Sequence, residues 1–425
     1  MKKLLSVTSF TGLLTLSRMM AGFIVSKVIA VYTGTTGMAQ LGQAQNLITM
    51  LTGIINAPTS NAVVRYTSEH CDEGFAACAP WWRASVQWAV VFCLSLIPTG
   101  ISLSEYISIW LFDKPDYSWL ICIMFIVLPF SALSTLINSV INGQQQYKKY
   151  ISLGIFSVII STVIMISLVV LWGINGALVA ASIQSGLIGI VMFIACIRQP
   201  WMKLTFWWGE VNHENRKKIG GYILMAIASA ICLPLALITV RKIIIANVGW
   251  DAAGQWQAVW KISEVYLSVM TMALGIYFLP QLAKLKSYIE IRNEINVTAR
   301  IILPIVMLMA LSVYLLRDVV ITVLFTEKFR AARELFGIQL VGDVIKITSW
   351  LYAYPMISRG ATKWFVGSEM FFSLILVIMS ALLVPIYKTD GANIAYMVNY
   401  IFYFMFVFFG MKFIVRDEKR NYEST

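Results

Sequence analysis

The sequence predicts an all-α polytopic membrane protein, with about 12 transmembrane helices in two parallel six-helix halves around a central cavity. Three observations predict it. Hydrophobic residues make up 59% of the 425 and charged residues only 13%, with a mean hydropathy of +0.76, whereas soluble domains carry about 25% charge. Apolar windows recur that are long enough to cross about 30 Å of hydrocarbon, each needing roughly 20 residues. The third is an internal echo: "KVIAVYTGTTGMAQLGQAQ" (Lys27–Gln45) is matched half a chain later by "KIIIANVGWDAAGQWQ" (Lys242–Gln257).

In chain order the windows fall near 10–32, 39–62, 84–104, 118–141, 151–172 and 176–197, then 221–246, 255–282, 300–316, 334–357, 364–386 and 392–413. The first opens with the basic residues of a secretory signal, yet it is too long and lacks a small-residue cleavage site, so it reads as a retained span. A polar segment separates the two sets of six. The predicted organisation is therefore an N-terminal six-helix half over 1–197, a cytoplasmic linker loop over 198–220, and a C-terminal six-helix half with a short cytoplasmic tail over 221–425. Six spans per half is an even number, so duplicated halves run parallel and enclose a cavity.

Lys and Arg set the orientation. With the N-terminus cytoplasmic, most of them, including Lys2, Lys3 and the Arg216-Lys217-Lys218 run, fall in inner loops and tails. The outer loops hold Lys114, Arg317, Lys328, Arg330, Arg333 and Lys388. The positive-inside rule then places both termini in the cytoplasm. The net charge of +12 is accounted for by those loops and by the membrane interior, so nucleic acid is not an expected partner.

The remaining cations, Arg18, Lys27, Arg241, Lys242, Lys261 and Lys346, lie inside spans or at their edges, accompanied by Glu264 and Asp343, with Glu369 nearer an inner end. Charge at bilayer depth costs about 2.5–3.5 kcal/mol per residue even on insertion scales, so such residues face partners, water or a substrate path. The interior is net cationic and suits an anion. Asp343 and Lys346 are spaced i,i+3, as are Lys261 and Glu264, so each pair shares a helix face. One reading is a self-neutralised structural pair. The other is a transport site, with Asp343 and Glu264 modulating charge or coupling to a cation. Arg18, Arg241 and Lys242 have no acid within helical reach along the sequence. Arg18 falls near the midplane, whereas Lys27, Arg241 and Lys242 lie towards the outer end, where Lys27 and Lys242 can equally snorkel. Arg18 and Lys27, nine residues apart, point to opposite faces of an ideal helix, unless Gly22 permits a distortion.

Pro58, Pro234, Pro280 and Pro304 interrupt spans, as in transporters that rock or bend. The Trp81–Trp82 and Trp207–Trp208 pairs read as interfacial anchors. The six cysteines show no zinc spacing, so no metal site is expected. Neither a GxxxxGK[ST] phosphate loop nor HExxH occurs, and no outer loop is long enough for an acceptor-binding domain. No catalytic residue and no cofactor are expected.

Two segments, "LLRDVVITVLFTEKFRAARELFGIQLVGDVIKITSW" (Leu315–Trp350) and "GQWQAVWKISEVYLSVMTMALGIYFLPQLAKL" (Gly254–Leu285), closely resemble the Wzx-type flippases of enterobacteria, in the multidrug/oligosaccharidyl-lipid/polysaccharide (MOP) exporter superfamily. The resemblance covers the chain in span number and order and is specific in those two segments. It implies O-antigen or enterobacterial common antigen biosynthesis. The implied substrate is undecaprenyl pyrophosphate carrying a short oligosaccharide, moved from the cytoplasmic to the periplasmic leaflet by alternating access with H+ or Na+ coupling. It also implies membrane lipid and the polymerase and chain-length proteins of the pathway as partners. The anion-binding residues would be Arg18, Lys27, Arg241, Lys242, Lys261 and Lys346. The competing classes are a drug or cation antiporter of the same superfamily, which needs an acidic cavity, and a membrane glycosyltransferase or polymerase, which needs a large periplasmic loop.

Overall fold

The computed structural model describes residues 2–285 and 287–422, and among them every regular element is helical and no strand occurs. In hydrocarbon each backbone amide must find its partner inside the segment, and long apolar runs meet that demand as helices. Eight described helices are long and apolar enough to cross a membrane.

Two of them are double. Helix α1 (Lys2–Asn56) breaks at Gly34, with φ 68° and ψ −162°, where the predicted spans 10–32 and 39–62 meet. A side chain at that φ is strained, so glycine turns the chain without a loop. Further along come α2 (Asn61–His70), α3 (Phe75–Ser102), α4 (Ser104–Phe112), α5 (Ser118–Ile126) and α6 (Leu128–Gly143). Helix α7 (Tyr147–Cys196) breaks at Gly173, with φ 56° and ψ −129°, between the spans predicted at 151–172 and 176–197. A short α8 (Leu204–Trp207) leads to α9 (His213–Val248).

The helices form two compact units. The N-terminal unit comprises Met1–Thr33 and Gln40–Leu235. At one end its core gathers Val63, Cys78, Trp82, Ile137, Cys196, Trp201 and Trp207, all buried. This corrects the reading of the tryptophan pairs as interfacial anchors. Trp82 and Trp207 stack with centroids 5.1 Å apart, and Trp82 Nε1 donates to Thr67 Oγ1 at 2.8 Å. Trp81 is half-buried, its ring 3.7 Å from that of Tyr66, and of the four only Trp208 is exposed. The segment after α7 is laid against α3, whose Gln87 Nε2 donates to the Gly209 carbonyl at 3.0 Å.

The C-terminal unit comprises Gly34–Ala39 and Ala236–Thr425. It contains the second part of α9, then α10 (Trp250–Ala273), a π turn over Leu274–Phe278, α11 (Leu279–Lys284), α12 (Tyr288–Leu315), α13 (Arg317–Leu324), α14 (Phe336–Arg359), α15 (Thr362–Tyr387) and α16 (Thr389–Tyr422). Helix α14 packs along α16 and against α12 and α10. Pro280 opens α11 just after the π turn, Pro234 and Pro304 sit inside α9 and α12, and Pro58 lies in the 3-10 turn that ends α1. Prolines and π turns both interrupt the i→i−4 ladder.

Candidate functional site

Three helical faces of the C-terminal unit converge on a buried charged cluster. On α14, Gln339, Asp343 and Lys346 occur at i, i+4 and i+7; on α10, Trp256 and Trp260 are four apart; on α16, Asn393, Tyr396, Tyr400 and Tyr403 recur at helical spacing. Each set forms one stripe. Gly342 lets the α16 stripe approach, because a Cβ there would stand 2.6 Å from the Tyr396 ring.

Asp343 is fully buried, and its carboxylate accepts from Tyr266 Oη at 2.7 Å, Tyr396 Oη at 2.8 Å and Gln339 Nε2 at 3.2 Å. Three donors from three helices replace the water a buried carboxylate loses. Lys346 is also buried, though slightly less so, and is differently surrounded. Its Nζ lies 5.0 Å from the ring centroid of Trp350, 5.5 Å from Tyr400, 5.6 Å from Trp260 and 5.7 Å from Tyr396. Ring faces attract a desolvated ammonium by about 2 kcal/mol or more. They accept no conventional hydrogen bond, and among the described residues no polar atom hydrogen-bonds Nζ. The i,i+3 spacing thus does not produce a direct contact: Asp343 turns to hydroxyls and Lys346 to rings. Asp343, Glu264 and Glu369 still supply the negative field at Lys346.

The cluster extends along α10. Trp260 Nε1 donates to Glu264 Oε1 at 3.0 Å, and Lys261 Nζ meets Glu264 Oε2 at 3.3 Å, with both side chains partly exposed. Trp256 packs on Trp260 at 5.3 Å and donates to Asn393 Oδ1 at 2.9 Å. Arg241, fully buried, lies over the Trp256 ring at 5.5 Å and donates to Gln257 Oε1. The structure thereby joins Arg241, Lys261, Glu264, Asp343 and Lys346 through a chain of aromatic and amide side chains. Lys242 in the same unit is half-buried. Just before the predicted 255–282 span, the Thr35 and Thr36 hydroxyls donate to Asp251 Oδ1 at 2.5 and 3.0 Å and hold that carboxyl below its usual range.

Arg18 and Lys27 belong to the N-terminal unit. Arg18 is exposed on α1 and has no hydrogen bond or ion pair among the described residues; Lys27 is half-buried. The residues that sequence reasoning missed are Tyr266, Tyr396, Tyr400, Trp260, Trp350 and Gln339. The periodic tyrosines of α16 were a signal, but alone they describe an ordinary buried face.

The family model described as polysaccharide biosynthesis protein matches residues 4–286. The lipid III flippase of Escherichia coli (strain K12) is 30% identical over 403 residues, which cover 93% of this chain and 95% of that protein. Among solved structures, the lipid II flippase MurJ in an inward closed conformation superposes with a TM-score of 0.70 at 12% identity, covering 96% of this chain and 87% of that one. An inward-facing MATE-family multidrug resistance transporter of the MOP superfamily gives 0.69 at 14% identity, covering 96% of both chains. At such identities the two structures speak for the fold.

Proposed function

Because this chain belongs to the polysaccharide biosynthesis protein family and is similar along nearly its whole length to a lipid III flippase, we propose that it is a transporter of the MOP type that moves undecaprenyl-pyrophosphate-linked oligosaccharide. The cargo is an O-antigen unit or a related one, taken from the cytoplasmic to the periplasmic leaflet of the inner membrane by alternating access. Lys346 carries this reading: an ammonium buried among four rings, with no hydrogen-bond acceptor among the described residues, is prepared for an anion that arrives from outside the protein. A pyrophosphate diester is permanently anionic, and charge-assisted hydrogen bonds from Lys and Arg offset the loss of its hydration. The polyprenyl tail stays in lipid. Asp343, held by neutral donors beside this cation, is the proposed coupling group for H+ or Na+, with the more exposed Glu264 as a second. A drug or cation antiporter is disfavoured because Lys346 and Arg241 repel a cationic cargo.

The test is complementation of a flippase-null strain that makes defined O-units, scored by the lipopolysaccharide ladder. The wild-type chain is expected to restore the ladder, and failure at normal abundance with every O-unit tried sinks the proposal. In the same strain, Arg18→Ala is expected to abolish the ladder at normal membrane abundance, and Arg18→Lys to retain part, since a point charge replaces the bidentate fork incompletely. Full export by the alanine variant removes Arg18 from the anion path.

The proposed topology has 12 crossings in two parallel halves, 1–197 and 221–425, around a cytoplasmic 198–220 segment, with both termini cytoplasmic. Reporter fusions after Tyr106, Trp250 and Asp390 are expected to read periplasm, and fusions after Arg216 and Lys419 cytoplasm. A cytoplasmic signal at Trp250 overturns the parallel arrangement.

A further inference from the structure

The N-terminal unit contains a cavity of about 280 Å³, opened between α1, α6 and α7. Its polar walls come from three stripes at helical spacing: Thr52 and Asn56 on α1, Ser131 and Thr135 on α6, Gln184 and Ser185 on α7. No charged residue lines it, and its volume lies near the lower end of small-ligand sites, about 300–1,000 Å³.

Few of these polar groups are spent on one another. Asn56 Nδ2 donates to Ser131 Oγ at 3.3 Å, but Asn56 Oδ1 is buried and has no hydrogen-bond partner. Gln184, Thr135 and Ser185 make no hydrogen bond among the described residues. Thr52 donates back to the Ile48 carbonyl at 2.7 Å, which leaves its oxygen free to accept. A buried polar atom without a partner costs about 1–3 kcal/mol, so Asn56 Oδ1, set among the more accessible and unpaired Thr135, Gln184 and Ser185, points to an occupant that supplies both donors and acceptors. Amides and hydroxyls without a nearby charge do not select a phosphate or a cation, and an acyl chain would leave them all unsatisfied. A sugar ring, with a hydroxyl or acetamido group on nearly every carbon, matches them.

We propose that this cavity is a glycan subsite, which takes one neutral sugar residue of the lipid-linked oligosaccharide while the anionic linkage is held by cationic side chains elsewhere. The inference rests on the oligosaccharide reading above and adds to it a place and a chemistry for recognising sugar. It makes the preference for glycosylated over bare carrier a property of Asn56 and Gln184, independent of Lys346.

The experiment uses the full chain in nanodiscs and compares two probes, undecaprenyl pyrophosphate and the same lipid bearing an oligosaccharide that begins with an N-acetylhexosamine, with affinities from native mass spectrometry. Wild type is expected to prefer the glycosylated probe by about tenfold or more, a difference of roughly 1.4 kcal/mol or above. The Asn56→Leu/Gln184→Leu double variant is expected to erase that preference and leave the Kd for bare carrier unchanged. Lys346→Met is expected to weaken both probes in parallel and keep the preference. A preference that survives in the folded double variant overturns the subsite, as does a parallel loss of both probes. If wild type binds neither probe, the flippase reading itself has failed. Should the double variant not fold, Thr135→Val/Ser185→Ala, which removes two hydroxyls at nearly constant volume, decides by the same criterion.

Discussion

Asp343→Ala is expected to remove most of the protein from the membrane. The substitution leaves the Tyr266 and Tyr396 hydroxyls and the Gln339 amide without their acceptor. It also deletes the carboxylate that contributes most to offsetting the charge of Lys346. Removing one partner from a buried charged arrangement costs about 3–5 kcal/mol, a large part of a stability that is typically about 5–15 kcal/mol. Asp343→Asn separates scaffold from charge, because its carbonyl oxygen still accepts and the tyrosine hydroxyls can turn to accept from its amide. Asn is expected near normal abundance with little export. The combined Asp343→Lys/Lys346→Asp exchange is expected to rescue neither, since it sets an ammonium among three donors and a carboxylate against four ring faces. Near-normal export by the exchange would show that the two charges serve only to neutralise each other.

Lys346→Met is the second large effect, and here abundance and export are expected to part. Methionine keeps the unbranched stem and the favourable sulfur–ring contacts, so the box of Trp260, Trp350, Tyr396 and Tyr400 stays filled. What it lacks is the charge. The variant is expected at close to wild-type amounts with export down about ten- to 150-fold, the range expected when a charge-assisted hydrogen bond of about 1.5–3 kcal/mol to the cargo is lost. Lys346→Ala instead opens a void among the rings, costing about 2–5 kcal/mol, and is expected to lose abundance as well. Immunoblots of membranes beside the lipopolysaccharide ladder measure both. A methionine variant that exports normally removes Lys346 from the anion path and leaves it a packing residue.

Both results depend on neighbours that no single stretch of chain announces. Helical spacing placed Asp343 and Lys346 on one face of α14, and they are there. The same spacing allows them to meet, and they do not, because side-chain direction answers to whatever stands opposite. The rings and hydroxyls opposite come from α10 and α16, with Tyr266 77 residues and Tyr396 53 residues away from Asp343. Lys261 and Glu264 carry the same spacing but are partly exposed, with fewer neighbours to capture them, and there the pair forms at 3.3 Å. Trp82 and Trp207 depart from the anchor reading for a related reason. An indole serves equally at an interface or in a core with its N–H bonded, and only the partner, Thr67 for Trp82, distinguishes the two.

What the sequence by itself determined is the class of molecule: a helical, multi-pass membrane protein of a lipid-linked flippase family, with its interior cations and acids in view. Those properties are local or compositional. Hydropathy acts on every window independently, and a span needs only about 20 apolar residues to exist. The tertiary structure decided the rest: that Asp343 is held by hydroxyls, that Lys346 is ringed by aromatics, and that Asn56, Ser131 and Gln184 line one uncharged cavity. A buried polar side chain takes its chemistry from what replaces its water. In a bundle of long helices those replacements come from other spans, so they become visible only once the helices have packed.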